Sequence, residues 1–183
     1  MNHQSSVVPA IRLVRKEAIT VVGMGCTTSK ADHKKNDTIG KFTFSFLANR
    51  AGEITSTVPR HLLGISLYPE GFTGFEEYEW FCGYEVNGTD EIPEGMAART
   101  FPEHEYAVVT HKGSLRALYD TYGYFHSKWR ALAGYNYADR YDIQLYDARF
   151  RGPHDPDSKL DIYFPVKRSL CRMPTSEATS QPS

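Results

Sequence analysis

The chain has 183 residues, 40% of them hydrophobic, which suffices for one domain or two small fused halves with a packed core. Its 21 basic and 22 acidic residues leave a net charge of −1, so electrostatics give no reason to expect a nucleic-acid or anionic-membrane partner. No run of about 18 apolar residues is present, and MNHQSSVVPAIRLVRKE lacks the apolar stretch of a secretory signal, so a cytoplasmic protein is expected.

Residues 1–10 are polar and contain a proline, and they read as a disordered N-terminus. AITVVGMGCT (18–27) reads as a strand. The glycines in VVGMGCTTS invite a dinucleotide-binding reading, but Thr28 stands where the third glycine should be, and a polar stretch, SKADHKKND, delays the helix. TIGKFTFSFLANRAGE (38–53) places Ile39, Phe42 and Phe46 at helical spacing, with Asp37 or Thr38 as cap. HLLGISLYP (61–69) and EEYEWFCGYEV (76–86) then read as strands joined by the turn residues EGFTG. Glu76, Glu77 and Glu79 read as a solvated strand end.

DEIPEGM (90–96) links this stretch to a second one of the same order. EYAVVTHKG (105–113) is a strand. Leu115, Leu118, Tyr122, Phe125, Trp129 and Leu132 form an apolar helical stripe that Gly134 ends. RYDIQLYDARF and KLDIYFPVK (159–167) are strands separated by the turn-rich RGPHDPDS. The tail from residue 169, rich in Ser, Thr and Pro, reads as disordered. The spacing from Tyr68 to Val86 closely matches that from Tyr146 to Val166, so the pattern is an internal duplication. The expected fold is α+β: two βαββ halves, about 11–90 and 97–168, related by pseudo-two-fold symmetry. Both helices would lie on one face of the sheet, and a central ligand cleft would form at the junction of the opposite, concave face.

Chemistry-bearing motifs are few. The three cysteines, Cys26, Cys82 and Cys171, are odd in number and form no CxxC, which points to reduced thiols. His104, His111 and His126 have no ligand spacing, and no GxSxG nucleophile elbow occurs, so neither a metal, a cofactor nor a catalytic residue is assigned. The informative stretch is YDIQLYDARF (141–150). Tyr141, Ile143 and Leu145 alternate as a core face, and the other face carries Asp142, Gln144 and Tyr146. An acid, an amide and a phenol in one row, in a chain with 12 Tyr, 10 Phe and 2 Trp, suit the floor of a pocket for a flat, polarised molecule better than a solvated face. By strand parity Tyr163 is expected to meet Tyr146 across the strand pair, and Tyr68 holds the place in the first half that Tyr146 holds in the second. Trp80, rather than Phe81, is expected to face the cleft, and Trp129 to reach its rim.

"VVGMG", "GYEV" with "EIPEGM", "EYAVVTHKG", "YDTYGYFHSKW" with "AGY", and "QLYDARF" leading to "LDIYFPVK" together resemble the GyrI-like small-molecule-binding family over roughly residues 12–168. That family includes effector-binding domains of AraC-type and multidrug-sensing transcription regulators and standalone gyrase-inhibitory proteins. The resemblance implies an aromatic cleft for lipophilic, often cationic compounds, here lined by Tyr68, Trp80, Trp129, Gln144, Tyr146 and Tyr163. It also implies a standalone sensor or sequestering protein without a DNA-binding module before residue 12, with a homodimer and a gyrase or regulator partner as compatible assemblies. The family carries an acid two residues before the strand tyrosine, and here that position is Gln144. A neutral amide puts cation selectivity in question unless Asp142, one step outward on the same face, substitutes for it. Some members resemble hydrolases of strained alkylating natural products that use that acid, a role Gln144 cannot fill.

Overall fold

The computed structural model describes residues 9–55, 57–89 and 91–169. Its elements follow the order β1 (Ala10–Lys16), β2 (Ile19–Thr28), α1 (Lys30–Asn36), α2 (Thr38–Asn49), β3 (Thr57–Leu67), β4 (Tyr78–Val86), β5 (Ala97–Phe101) and β6 (His104–Lys112). There follow α3 (Leu118–Tyr124), α4 (Arg130–Ala133), β7 (Tyr135–Tyr137), β8 (Tyr141–Tyr146) and β9 (Lys159–Arg168). The fold is α+β, with every strand in one antiparallel sheet of order β1-β6-β9-β8-β3-β4-β2-β5, and β7 added on β9. The order reads alike from both edges: an edge strand, then the first, third and second strands of a βαββ unit. The two units meet where β3 pairs with β8. Each edge strand belongs to the other half in sequence. β1 precedes the first unit but pairs with β6 of the second, and β5 precedes the second but pairs with β2 of the first.

Both faces of the sheet are buried, and they are buried differently. On one face, Phe46 of α2 packs with Val22, Trp80, Cys82 and Tyr84, while Phe125 packs with Val109, Ile162 and Phe164. Among the described residues no helix packs on the other face, which closes on itself. Phe101 of β5 lies with its ring centroid 4.9 Å from that of Tyr141 on β8, although four strand spacings, about 19 Å if flat, separate the two strands. The sheet therefore curls around Ile65, Phe81, Tyr106, Val108, Tyr141 and Ile143, which fill the concave side. A cavity of about 120 Å³ remains there, lined by Ile19, Leu63, Ile143, Leu145 and Tyr163 with Lys16, His61 and Glu85. The concave face thus holds core where the sequence led us to expect the ligand cleft.

Local chemistry explains two further departures. The polar SKADHKKND is not a loop but contains α1. Ser29 caps it by accepting from the Asp32 N–H at 3.1 Å, and Asp32 in turn accepts from Thr28 at 3.0 Å and from Asn36 at 2.7 Å. The expected long helix over 115–132 is broken into a 3₁₀ turn, α3, a π turn at Phe125–Trp129 and α4. The wider π turn alters the rotation at Trp129, which stacks on Phe125 and Tyr135 at 5.5 and 5.6 Å. The loose ends expected at 1–10 and from 169 lie outside the described residues except Pro9, Ala10 and Ser169, and Ala10 already belongs to β1. Cys171 lies outside them too. No helix among the described residues is long and apolar enough to cross a membrane.

Candidate functional site

The row singled out in the sequence lies on the helix-covered face, beneath α3. Alternation alone could not reveal this, because β8 is central and buried on both sides, so parity separates the faces without naming them. Across β8 and β3, Asp142 stands opposite Ser66, Gln144 opposite Gly64 and Tyr146 opposite Leu62. On β4, Trp80 is opposite Ser66. Gly64 is required here by close approach: a Cβ at this position would lie 2.3 Å from the Trp80 ring.

Asp142 is 1% exposed and no ion pair among the described residues reaches it. Its partners are phenols. Tyr68, just beyond β3, donates to Oδ2 at 2.6 Å, and Tyr122 of α3 donates to Oδ1 at 2.6 Å. The network continues along the row. Gln144 Nε2 donates to the Tyr122 hydroxyl at 2.9 Å, and Tyr146 donates to Gln144 Oε1 at 2.5 Å. Burial pushes the Asp142 carboxyl up to about 6, and the two phenol hydrogen bonds only partly oppose that rise. Burial, and then the neighbouring Asp142 charge, raise the Tyr68 and Tyr122 phenols, which therefore remain donors at neutral pH.

Around this acid the aromatic rings converge. Tyr68 lies 4.6 Å from Phe72 and 5.5 Å from Tyr78, ring centroid to centroid, and Phe72 meets Tyr78 edge-on at 5.9 Å. Tyr122 meets Phe164 edge-on at 5.4 Å. At the same ends of β2, β3 and β4 an open depression of about 330 Å³ is lined by Thr27, Leu67, Tyr68, Pro69, Glu77, Tyr78 and Glu79.

Of the residues expected from the sequence, Tyr68, Gln144 and Tyr146 are brought into one network. Trp80 faces the same side, but α2 seals it: it is 1% exposed and its Nε1 donates to Thr43 at 2.9 Å. Trp129 packs against Tyr135, in the apolar core under α3 and α4. Tyr163 does not meet Tyr146. It pairs with Ile143 and lies on the concave face beside Tyr106, because the row shares its face with Ile162 and Phe164, not with their alternates. Tyr122 and Phe72 were missed. The first was read as one of the apolar helix stripe, and the second lay in a stretch read only as a turn. Of the histidines, His111 is a satisfied core residue, bonded to Thr121 at 2.7 Å and to the Ser114 carbonyl at 3.1 Å. No group of three or more His, Cys, Asp or Glu is placed to hold a metal among the described residues.

The described residues thus bring together a buried acid without an ion-pair partner, phenol donors and stacked rings. Residues 12–166 match the family described as integron-associated effector binding protein, Cass2. The chain belongs to this GyrI-like effector-binding family. It is 33% identical over 156 residues to the transcriptional regulator BrlR of Pseudomonas aeruginosa, a match covering 85% of this chain and 54% of that protein, so the chain spans about half the length of this relative. Two solved structures show the same fold. The integron cassette protein from the mobile metagenome of Vibrio cholerae has a TM-score of 0.63 at 14% identity, over 86% of this chain and 95% of that one. SAV2435 bound to tetraphenylphosphonium has a TM-score of 0.67 at 14% identity, over 86% and 94%. This Cass2 family member is thus a small-molecule effector-binding domain by family.

Proposed function

We propose that the chain senses or sequesters lipophilic organic cations, with Asp142 as the counter-charge and Tyr68, Tyr122 and Tyr146 as the aromatic wall. The carrying observation is the Asp142 carboxylate, buried with two phenol donors and, among the described residues, no ion-pair partner. A buried ionised carboxylate without a positive partner is costly, and a cationic ligand supplies that partner together with cation–π contacts worth roughly 0.5–2 kcal/mol each. The tetraphenylphosphonium held by SAV2435 is a cation of this class. Relative to the family pattern the acid stands two residues earlier on the strand, about 7 Å along the sheet, which moves the preferred position of the ligand charge toward Tyr68. A cytoplasmic location and a role in transcriptional response accord with the relation to BrlR.

The hydrolytic alternative has less support. Gln144 cannot exchange a proton, and each Asp142 oxygen already holds a phenol. A gyrase-directed interaction has no feature of the described surface to carry it.

The test uses two probes of one shape and opposite charge, tetraphenylphosphonium and tetraphenylborate. Calorimetry at pH 7.5 should show preference for the cation in the native protein. In Asp142→Asn that preference should fall about 10- to 100-fold, or about 1.4–2.8 kcal/mol. An unchanged preference would sink the assignment of Asp142 as counter-charge.

A further inference from the structure

The surface that a cation would stack on is not free. Phe72 covers the Tyr68 ring with centroids 4.6 Å apart and an interplanar angle of 33°, while Tyr78 closes on both. The segment that carries Phe72 between β3 and β4 is organised to hold it there. Gly71 and Gly74 adopt φ values of 71° and 107°, a region open to glycine, and so turn the chain on either side of the Phe72–Thr73 pair. The Glu76 carboxylate accepts the backbone N–H groups of Thr73 at 2.7 Å, Gly74 at 3.2 Å and Phe75 at 3.3 Å, and the Thr73 hydroxyl at 2.7 Å. Of the two phenylalanines in the turn, Phe75 is 90% exposed and Phe72 is turned inward.

A cation is already present on this ring. Lys30, the first residue of α1, places its ammonium 5.8 Å from the Phe72 centroid. It also lies against Gly74, where a Cβ would meet the Lys30 nitrogen at 3.0 Å. Contacts run from the Lys30 ammonium to Phe72, from Phe72 to Tyr68, and from Tyr68 to the Asp142 carboxylate. A ligand that pairs with Asp142 while stacking on Tyr68 needs the area that Phe72 occupies, and its charge would compete with that of Lys30.

We infer that Lys30 and Phe72 form an internal occupant of the aromatic cage, and that a ligand must displace them, so that these two residues set which cations the site admits. This inference rests on the Asp142 reading. A hydrophilic or small ammonium ion offers no more to the cage than the lysine does, and it is excluded. A large, delocalised cation gains ring contact that Lys30 cannot match. Flat and bulky lipophilic cations therefore pass, and simple amines do not.

The experiment measures tetraphenylphosphonium affinity for the full chain in native form and in Lys30→Met, Lys30→Arg, Lys34→Met and Phe72→Ala. Lys30→Met should tighten binding about 2- to 5-fold, the effect of removing one exposed cation–π competitor. Lys30→Arg should leave it near native, since the charge stays on the ring. Lys34→Met, which removes an exposed charge from the same helix, should change nothing and so excludes a general field effect. Phe72→Ala should bind faster and at least as tightly. In proton NMR of the free native protein, the Lys30 ε-methylene should be shifted upfield by the Phe72 ring and return toward its unshifted position when tetraphenylphosphonium saturates the site. Weaker binding in Phe72→Ala would show that the ring is a wall of the site rather than its occupant, and would overturn the inference. So would a Lys30→Met affinity equal to that of the native protein. If the native protein binds neither tetraphenyl probe, the Asp142 reading fails and this inference with it, whereas native binding without the Lys30 effect removes this inference alone.

Discussion

Two aspartates on neighbouring central strands are both buried, and they have opposite surroundings. Asp161 on β9 lies on the concave face. It accepts from Arg12 of β1 at 2.9 Å, from Arg149 at 2.8 Å and from Thr110 at 2.7 Å, and despite its burial these partners hold its carboxyl below the ordinary range. Asp142 on β8 lies on the helix face, accepts hydrogen bonds only from phenols among the described residues, and is pushed up to about 6. The first acid is consumed by the fold: it ties the N-terminal strand and the turn after β8 to the centre of the sheet. The second ties Tyr68 and α3 to β8 through phenols but has no ion-pair partner among the described residues. Burial alone does not set the state of an acid: Asp161 has resident cations and Asp142 has none among the described residues, and their carboxyls shift in opposite directions.

The largest expected effect separates the two by pH. Asp142 titrates higher in the folded chain than the ordinary 3.8 of an unfolded one. Between about pH 4 and pH 6 the folded state therefore retains a proton that the unfolded state has lost, and stability falls as pH rises through that window. A shift from 3.8 to about 6 corresponds to about 3 kcal/mol, fully expressed above pH 6 and absent below pH 4. Asp161 acts in the other sense: its contribution is present above its unfolded value and is lost on acidification. Urea unfolding of native protein and Asp142→Asn across pH 4–7 should show Asn gaining on the native chain as pH rises. Tetraphenylphosphonium affinity of the native protein should fall below about pH 6, as the counter-charge takes up its proton. A difference between the two proteins that stays flat over this range would show that Asp142 is not isolated from counter-charge.

Next in size is Asp161→Asn, which should destabilise the chain by about 2 kcal/mol at neutral pH. It loses charge-assisted hydrogen bonds to two arginines, and the cost is limited because both guanidinium groups remain partly in solvent. Its preference for tetraphenylphosphonium over tetraphenylborate should equal that of the native protein, since the affected pair lies on the far side of the sheet. Chemical denaturation and calorimetry check the two halves of the statement. A changed charge preference would mean that the faces are not independent.

The contrast between the acids also shows what the sequence makes legible. Alternation in β8 and β9 located Asp142, Gln144 and Tyr146 on one side of a strand, and the repeat of element order anticipated the meeting of β3 with β8. Alternation could not name the side, because Tyr141, Ile143 and Leu145 are apolar beneath the curled sheet, and Leu160, Ile162 and Phe164 are apolar beneath α3. The error over Tyr163 follows directly, since its parity was matched to the wrong neighbour. The partners that decide the chemistry were equally hidden. Tyr68 lies 74 positions before Asp142 and Tyr122 lies 20 before it, and nothing local marks either phenol as a donor to that carboxylate. Edge strands β1 and β5 escaped notice because their side chains are largely exposed and their alternation is weak. Helix α1 escaped because caps, not apolar periodicity, specify it.

The smallest expected effect concerns Gln144, where the family pattern has an acid. Gln144 donates to Tyr122, and this leaves the Tyr122 proton free to serve Asp142. In Gln144→Glu two carboxyl groups would compete for that one phenol proton, and two negative charges would share a buried row. The new carboxyl should then keep a proton at neutral pH, as burial and the adjacent Asp142 both disfavour its charge. Because protonation avoids the full cost of a second buried charge, the loss in stability without ligand should be only about 1 kcal/mol. Tetraphenylphosphonium should reverse that loss by drawing the second carboxyl into its charged form, and the cation-to-borate ratio should rise above native. Thermal melts with and without each probe measure both quantities. If the variant melts like the native protein and its ratio is unchanged, Gln144 plays no part in tuning the charge at Asp142, and the network of Tyr146, Gln144 and Tyr122 is structural only.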